Sequence, residues 1–146
     1  MTPARTIISS RLLKHPRERV WSAFENAATL ERWWGPEGFT NTIKTFEFRP
    51  GGTWNLVMHG PNGMNFENTS VFEEIVPNER IVYKHLDPVH VFRMTIALDP
   101  KGQNTQMTWT MTFESAEEFE KVKDFIATAN EQNLDKLENC LASLPR

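Results

Sequence analysis

The sequence has few of the features that mark secreted, membrane or nucleic-acid-binding proteins. A single cysteine, Cys140, among 146 residues cannot form an internal disulfide, which predicts a protein of the reducing cytoplasm. No apolar run approaches the roughly 18 residues of a membrane span, and there is no repeat or low-complexity tract. Sixteen Lys and Arg against 19 Asp and Glu give a net charge of -3, with no dense basic block. We therefore expect neither a membrane nor a nucleic acid as partner.

Signatures of metal binding and catalysis are also scarce. His15, His59, His85 and His90 include no pair at the helical ligand spacing i, i+4, and none is grouped with cysteine or carboxylates, so we expect no metal. No nucleophile elbow or Cys/His signature is present. The run Pro50-Gly51-Gly52 lacks the Lys-Ser/Thr of a P-loop and is interpreted as a turn. We expect no cofactor.

The composition that is present is that of an ordinary globular protein. With 39% hydrophobic and 24% charged residues, it predicts a single domain over residues 1–146. Hydrophobic periodicity predicts one strand, two short helices, six further strands and a long C-terminal helix. The predicted strands cover residues 6–13, 41–48, 53–59, 65–76, 80–86, 90–98 and 105–113. This order indicates an α+β fold in which a curved antiparallel sheet wraps the last helix.

The last strand and the last helix carry the clearest patterns. Met107, Trp109 and Met111 alternate with threonines, which indicates a sheet with one buried and one wet face. Ser115 and Glu118 form a capping box that starts a helix reaching about residue 143. The apolar stripe along one face of that helix indicates that this face packs against another element of the fold.

Two asparagines interrupt this apolar stripe. At about 100° per residue, Asn130 and Asn133 lie within about 40° of the direction of Phe119, inside the stripe. A buried amide without partners costs about 1 to 3 kcal/mol, so both need inward hydrogen bonds, waters or a polar ligand group. Lining of a cavity and satisfaction by neighbouring protein groups are both open at this point.

Several short motifs occur in a characteristic order along nearly the whole chain. They are Pro16 with Val20-Trp21, Leu30-Glu31-Arg32-Trp33-Trp34-Gly35-Pro36, Arg49-Pro50-Gly51-Gly52 with Trp54, Gly60-Pro61-Asn62-Gly63, Phe72-Glu73-Glu74-Ile75-Val76-Pro77, Glu79-Arg80-Ile81-Val82-Tyr83 and Leu134-Asp135-Lys136-Leu137. In this order and spacing they resemble the family of activator of Hsp90 ATPase homologue 1-like proteins, within the START/Bet v 1-like (SRPBCC, polyketide cyclase-like) superfamily.

The resemblance implies a helix-grip fold with a hollow between the sheet and the long helix. In relatives this hollow holds apolar or aromatic small molecules, and we expect such a ligand here. The chain departs from the family pattern at two places. It has Ala129-Asn130 where many relatives carry Gly-Trp, and Ser70 where they often carry glycine. Both departures would alter the lining of the hollow.

The residues expected to line this hollow are mostly aromatic or methionine, because a mostly apolar pocket with a few polar groups is typical of ligand sites. They are Trp33, Trp34, Phe39, Phe48, Trp54, Met58, Phe66, Phe72, Tyr83, His85, Phe92, Met94, Met111, Val122, Ile126, Asn130 and Asn133. The segment Gly35–Phe39 is expected to be the most mobile part of the rim, with an apolar residue that could cover an opening.

Three alternatives to a ligand-filled hollow remain. The same aromatic residues could pack together as a filled core. A co-chaperone-like or stress-response module, with a chaperone as partner, is implied by the family resemblance and would need an exposed surface such as Trp33 and Trp34. A polyketide cyclase-like enzyme could use Tyr83, His85 or His90 as acid or base, although no catalytic pair is visible in the sequence.

Overall fold

Seven antiparallel strands form one sheet, which the computed structural model describes within residues 5–87 and 91–144. The strands are β1 (Thr6–Leu13), β2 (Thr40–Phe46), β3 (Thr53–His59), β4 (Asn65–Val76), β5 (Arg80–Asp87), β6 (Phe92–Lys101) and β7 (Asn104–Phe113). The helices are α1 (Arg17–Glu25), α2 (Ala27–Trp33) and α3 (Ala116–Ser143). The α+β helix-grip fold predicted from the sequence is confirmed.

The sheet has the strand order β1-β7-β6-β5-β4-β3-β2, so the chain returns after α1 and α2 to the far edge and then meanders back. Register shifts interrupt the β2–β3 pairing and the β4–β5 pairing. Such irregularities bend a strand and increase its local twist. The sheet can therefore curve around α3, which contacts β1, β7 and both short helices.

Some of the observed strand ends differ from the sequence prediction by one to three residues, and two of these differences have a clear structural cause. Strand β2 ends at Phe46 and not at Phe48, because the Arg49 N–H bonds to the Glu47 carbonyl at 2.8 Å and turns the chain. The last hairpin is tighter than expected: Lys101 pairs with Asn104, and Gly102 takes a φ of 64° between them. A two-residue loop of this kind suits a residue without a side chain. His90 lies outside the described residues.

Side-chain caps fix two of the helix starts. The Asn26 side chain accepts a hydrogen bond from the Thr29 N–H at 3.2 Å, and Ser115 Oγ accepts one from the Glu118 N–H at 3.1 Å. Each satisfies an N–H group that has no partner inside its helix. The serine of the predicted capping box therefore starts α3 where the sequence indicated.

An ion cluster holds the edge strand β1 against α3. The Arg11 guanidinium lies 2.8 Å from Glu131, 2.6 Å from Asp135 and 2.7 Å from Glu138, all on α3.

Further along α3, Cys140 is buried, and burial raises the pKa of its thiol. A thiol with a raised pKa is a weak nucleophile, so Cys140 belongs to the packed core.

Candidate ligand-binding cavity

A cavity of about 380 Å³ lies between the sheet and α3. Strands β3 to β7, the loop after α2 and the middle of α3 all contribute to its walls. Of the residues predicted from the sequence, those that line it are Trp34, Phe39, Trp54, Met58, Phe66, Tyr83, His85, Phe92, Met94, Met111, Ile126, Asn130 and Asn133. The inner faces of the strands and the apolar stripe of α3 therefore meet around open space.

Four residues of the predicted lining lie elsewhere. Trp33 is 1% exposed and donates its indole N–H to the Ala23 carbonyl at 3.0 Å, so it faces α1. Adjacent helical residues point about 100° apart, so Trp33 and Trp34 cannot share one direction. This arrangement also corrects the idea of an exposed Trp33-Trp34 patch, because Trp34 lines the cavity.

The other three residues lie on a suitable face but too far along the chain to reach the cavity. Phe48 and Phe72 contact each other, with ring centroids 5.3 Å apart, and line a separate cleft of about 10 Å³. That space is at or below the minimum for one water molecule, so these rings form packed core. Val122 lies one turn before Ile126 on α3, packs against the hydrophobic core and is not among the residues that line the cavity.

Several lining residues were missing from the sequence prediction. They are Gly35, Pro36, Leu56, Asn68, Ser70, Trp109, Phe125 and Ala129. Period-two alternation could have found most of those on strands: Asn68 and Ser70 share the face of Phe66, and Trp109 shares that of Met111. Ser70 and Ala129 were recognised only as departures from the family pattern.

The loop between α2 and β2 covers one side of the cavity. Lys136 of α3 donates to the backbone carbonyls of Trp34 and Pro36 at 3.4 Å and of Phe39 at 3.1 Å. Burial lowers the pKa of this lysine. The Glu37 N–H also donates to the Gln132 side chain at 3.2 Å. Side chains of α3 therefore hold this loop, which we call the lid, closed against the helix.

Gly35 lets the lid approach β3 closely. Its φ of 95° favours glycine, and a Cβ there would lie 2.9 Å from the Met58 Cε atom. At the end of the lid, the Phe39 ring lies 6.3 Å from that of Phe66, and Phe125 of α3 is 72% exposed although it lines the cavity. These three rings form an apolar rim where the cavity approaches solvent.

Polar side chains lie at two places in the cavity wall, one on the sheet and one on α3. On the sheet, Asn68 Oδ1 and His85 Nε2 are 2.8 Å apart, and the His85 ring stacks on Phe92 with centroids 4.7 Å apart. On α3, the Asn133 amide donates to the Trp33 carbonyl at 3.1 Å. The Asn130 amide reaches Ser9 Oγ at 3.4 Å and the Met111 sulfur at 3.3 Å. Both asparagines thus line the cavity and contact neighbouring protein groups.

Other polar groups in the wall have no hydrogen-bond partner among the described residues. They include the buried indole N–H groups of Trp54 and Trp109. The hydroxyls of Ser70 and Tyr83 also bond to none of those residues, and the two side chains are only 2% and 3% exposed. Burial raises the pKa of Tyr83, so its phenol stays neutral over the physiological range.

The chemistry of this wall suits an uncharged apolar molecule. The lining residues that lie in the described part of the chain include no Asp, Glu, Lys or Arg. Within residues 5–87 and 91–144 no group of three or more His, Cys, Asp or Glu could hold a metal ion. None of the helices in the described part of the chain is long and apolar enough to cross a membrane.

Solved structures with the same fold come from several bacteria. A solution structure of a protein from Arthrobacter aurescens is 26% identical, with a TM-score of 0.89 over 98% of this chain and 89% of that chain. A crystal structure from Rhodobacter sphaeroides is 24% identical, with a TM-score of 0.86 over 97% of this chain and 94% of that chain. One from Nitrosomonas europaea is 22% identical, with a TM-score of 0.85 over 97% and 98%.

Sequence comparison agrees with the structural comparison at the family level. No curated protein sequence matches the chain significantly. The family described as "Activator of Hsp90 ATPase homolog 1-like protein" matches residues 14–142. Since this match spans most of the 146 residues and the fold agrees, the chain belongs to the Activator of Hsp90 ATPase homolog 1-like family of the START/Bet v 1-like superfamily.

Proposed function

We propose that this protein binds an apolar, largely aromatic small molecule in the cavity between the sheet and α3. The observation that carries the proposal is the open space of about 380 Å³ behind almost entirely apolar walls. Ligand sites for small molecules are concave, mostly apolar and about 300 to 1,000 Å³ in volume. The cavity of this chain falls inside that range.

The size of the cavity supports a binding role over a filled core. Protein interiors are close-packed, with few voids larger than a water molecule. Where the rings do pack together, as around Phe48 and Phe72, about 10 Å³ is left. The larger cavity is lined instead by Met58, Met94 and Met111, whose flexible side chains adapt to irregular ligand shapes.

The test compares two identical substitutions on α3. Ala129 is half-buried and lines the cavity, whereas Ala127 is exposed on the same helix and does not line it. Fluorene, a rigid and uncharged tricyclic hydrocarbon, serves as the probe. Binding is followed by quenching of tryptophan fluorescence, because Trp34, Trp54 and Trp109 line the cavity.

We expect fluorene to bind the wild type saturably and Ala129→Phe about 10- to 100-fold more weakly. A phenyl group inserted into the cavity competes with the probe for space, and overpacking of this kind costs about 1 to 3 kcal/mol. Ala127→Phe should bind like the wild type. Equal affinities for all three proteins would place fluorene outside the cavity and contradict the proposal.

A co-chaperone-like or stress-response role is the second candidate, suggested by the family description. On the structural side, Ile8 and Leu12 of the edge strand β1 are 66% and 46% exposed and present apolar surface for a protein partner. A pull-down with an Hsp90-type chaperone and an ATPase assay test this role. ATPase stimulation that survives Ala129→Phe and fails in Ile8→Thr/Leu12→Thr would favour it over ligand binding.

A further inference from the structure

The polar groups in the sheet wall of the cavity gather at one place. Ser70 of β4 pairs in register with Trp54 of β3 on one side and with His85 of β5 on the other. Tyr83 is the next residue of β5 on the same face, and its ring lies 5.2 Å from that of Trp54. Asn68, next to Ser70 on the inner face of β4, bonds to His85.

The two hydroxyls in this group have no hydrogen-bond partner among the described residues. Ser70 and Tyr83 line the cavity at 2% and 3% exposure and form no side-chain hydrogen bond with any residue that the structure describes. Both hydroxyl oxygens are accessible from the cavity, since neither is among the buried polar atoms that lack a partner. Polar groups at such places in folded proteins are nearly always satisfied by protein, water or ligand. A polar atom of a ligand in the cavity can therefore bond to both hydroxyls.

The rest of the wall restricts what that atom can be. Each hydroxyl can donate as well as accept a hydrogen bond, so the two together can donate to a carbonyl or hydroxyl oxygen. Among the described residues that line the cavity, no Asp, Glu, Lys or Arg side chain is present to balance an ionised ligand. An uncharged oxygen is the partner that fits both conditions.

We propose that the hydroxyls of Ser70 and Tyr83, beside the Asn68–His85 pair, form a subsite for an oxygen of the ligand. The ligand class is then an uncharged, mainly aromatic or alicyclic molecule that carries a carbonyl or hydroxyl group. This inference rests on the proposed function, because it assigns the polar end of the same cavity. It makes Ser70 and Tyr83 specificity-determining residues.

The test uses probes of one shape that differ in a single group. Fluorene carries a methylene where 9-fluorenone carries a carbonyl, and fluorene-9-carboxylate adds a negative charge. One hydrogen bond contributes about 0.5 to 1.5 kcal/mol, so the wild type should bind fluorenone about 2- to 12-fold more tightly than fluorene. The carboxylate, measured at pH 8, should bind at least about tenfold more weakly than fluorene.

The matched variants delete hydroxyls only. In Ser70→Ala/Tyr83→Phe the preference for fluorenone should vanish while fluorene affinity stays within about twofold, because the rings and the cavity shape remain. The melting temperature should not fall, since neither hydroxyl has an internal partner to lose. Ser22→Ala removes a hydroxyl on α1 that bonds to the Arg19 carbonyl outside the cavity, and it should keep the preference.

The remaining outcomes distinguish an error in the oxygen subsite from an error in the proposed binding function. If fluorene binds but fluorenone gains nothing, the oxygen subsite is wrong and the binding function stands. A preference that persists in the double variant, or in both single variants, places the oxygen elsewhere and overturns the subsite. Tighter binding of the carboxylate overturns the uncharged ligand class. If none of the probes binds, both the subsite and the proposed function are contradicted.

Discussion

Replacing Gly52 with alanine is expected to lower the free energy of unfolding by about 4 kcal/mol or more, the range of exceptional single substitutions. A Cβ at this position would lie 1.9 Å from the Glu47 carbonyl oxygen, a backbone atom that cannot move aside alone. The Gly52 N–H bonds to the Arg49 carbonyl at 2.8 Å, and its own carbonyl accepts from Phe72 at 2.9 Å. The turn therefore cannot shift without breaking its links to β4.

Gly51→Ala is the matched control for this prediction. A Cβ at Gly51 would meet no atom within 4 Å, and only its φ of 83° disfavours a side chain. That conformation costs an alanine about 1 to 2 kcal/mol. Urea denaturation of both variants measures the difference. Equal losses of stability would show that the close approach between Gly52 and Glu47 is not what fixes this turn.

The second large effect is expected at Asn133. The Trp33 carbonyl lies at the end of α2, where carbonyls have no partner inside the helix. The Asn133 side chain is only 5% exposed, and its amide donates to this carbonyl at 3.1 Å. Asn133→Leu removes the only side chain within residues 5–87 and 91–144 that bonds to this carbonyl. We expect a loss of about 1 to 3 kcal/mol in denaturant titration.

Asn130→Leu, three residues earlier on the same helix, should stay within about 1 kcal/mol of the wild type. Its amide has a long contact of 3.4 Å with Ser9 and one with the Met111 sulfur, which is a weak acceptor. Little hydrogen bonding is therefore lost, and leucine restores the apolar stripe. A loss of 1 kcal/mol or more in Asn130→Leu would show that the amide of Asn130 is held in a hydrogen-bond network and would contradict this prediction.

The sequence predicted the fold well where local chemistry decides it. The alternation around Trp109 and Met111, and the serine cap at Ser115, correspond to elements found at nearly the same residues. Its errors arose where long-range geometry decides. Phe48 falls beyond the end of β2, because a backbone hydrogen bond turns the chain at Glu47. No local pattern marks such a contact.

The lining of the candidate site was less predictable than the fold. Periodicity gives the face of a residue but not how far along that face the cavity extends, which is why Phe72 and Val122 were placed in it. The two asparagines were correctly identified as inward-facing polar groups. Their partners, such as the Trp33 carbonyl for Asn133, depend on how α2 docks on α3 and could not be derived from spacing.

A crystal structure of the protein grown with fluorene tests the central claim most directly. The account predicts electron density for the probe between the sheet and α3, in contact with Trp34, Met94 and Ile126, with the backbone of the fold unchanged. Crystals grown under the same conditions without fluorene should lack that density. A collapsed cavity filled by its own side chains, with fluorene absent or bound on the surface, would contradict the account.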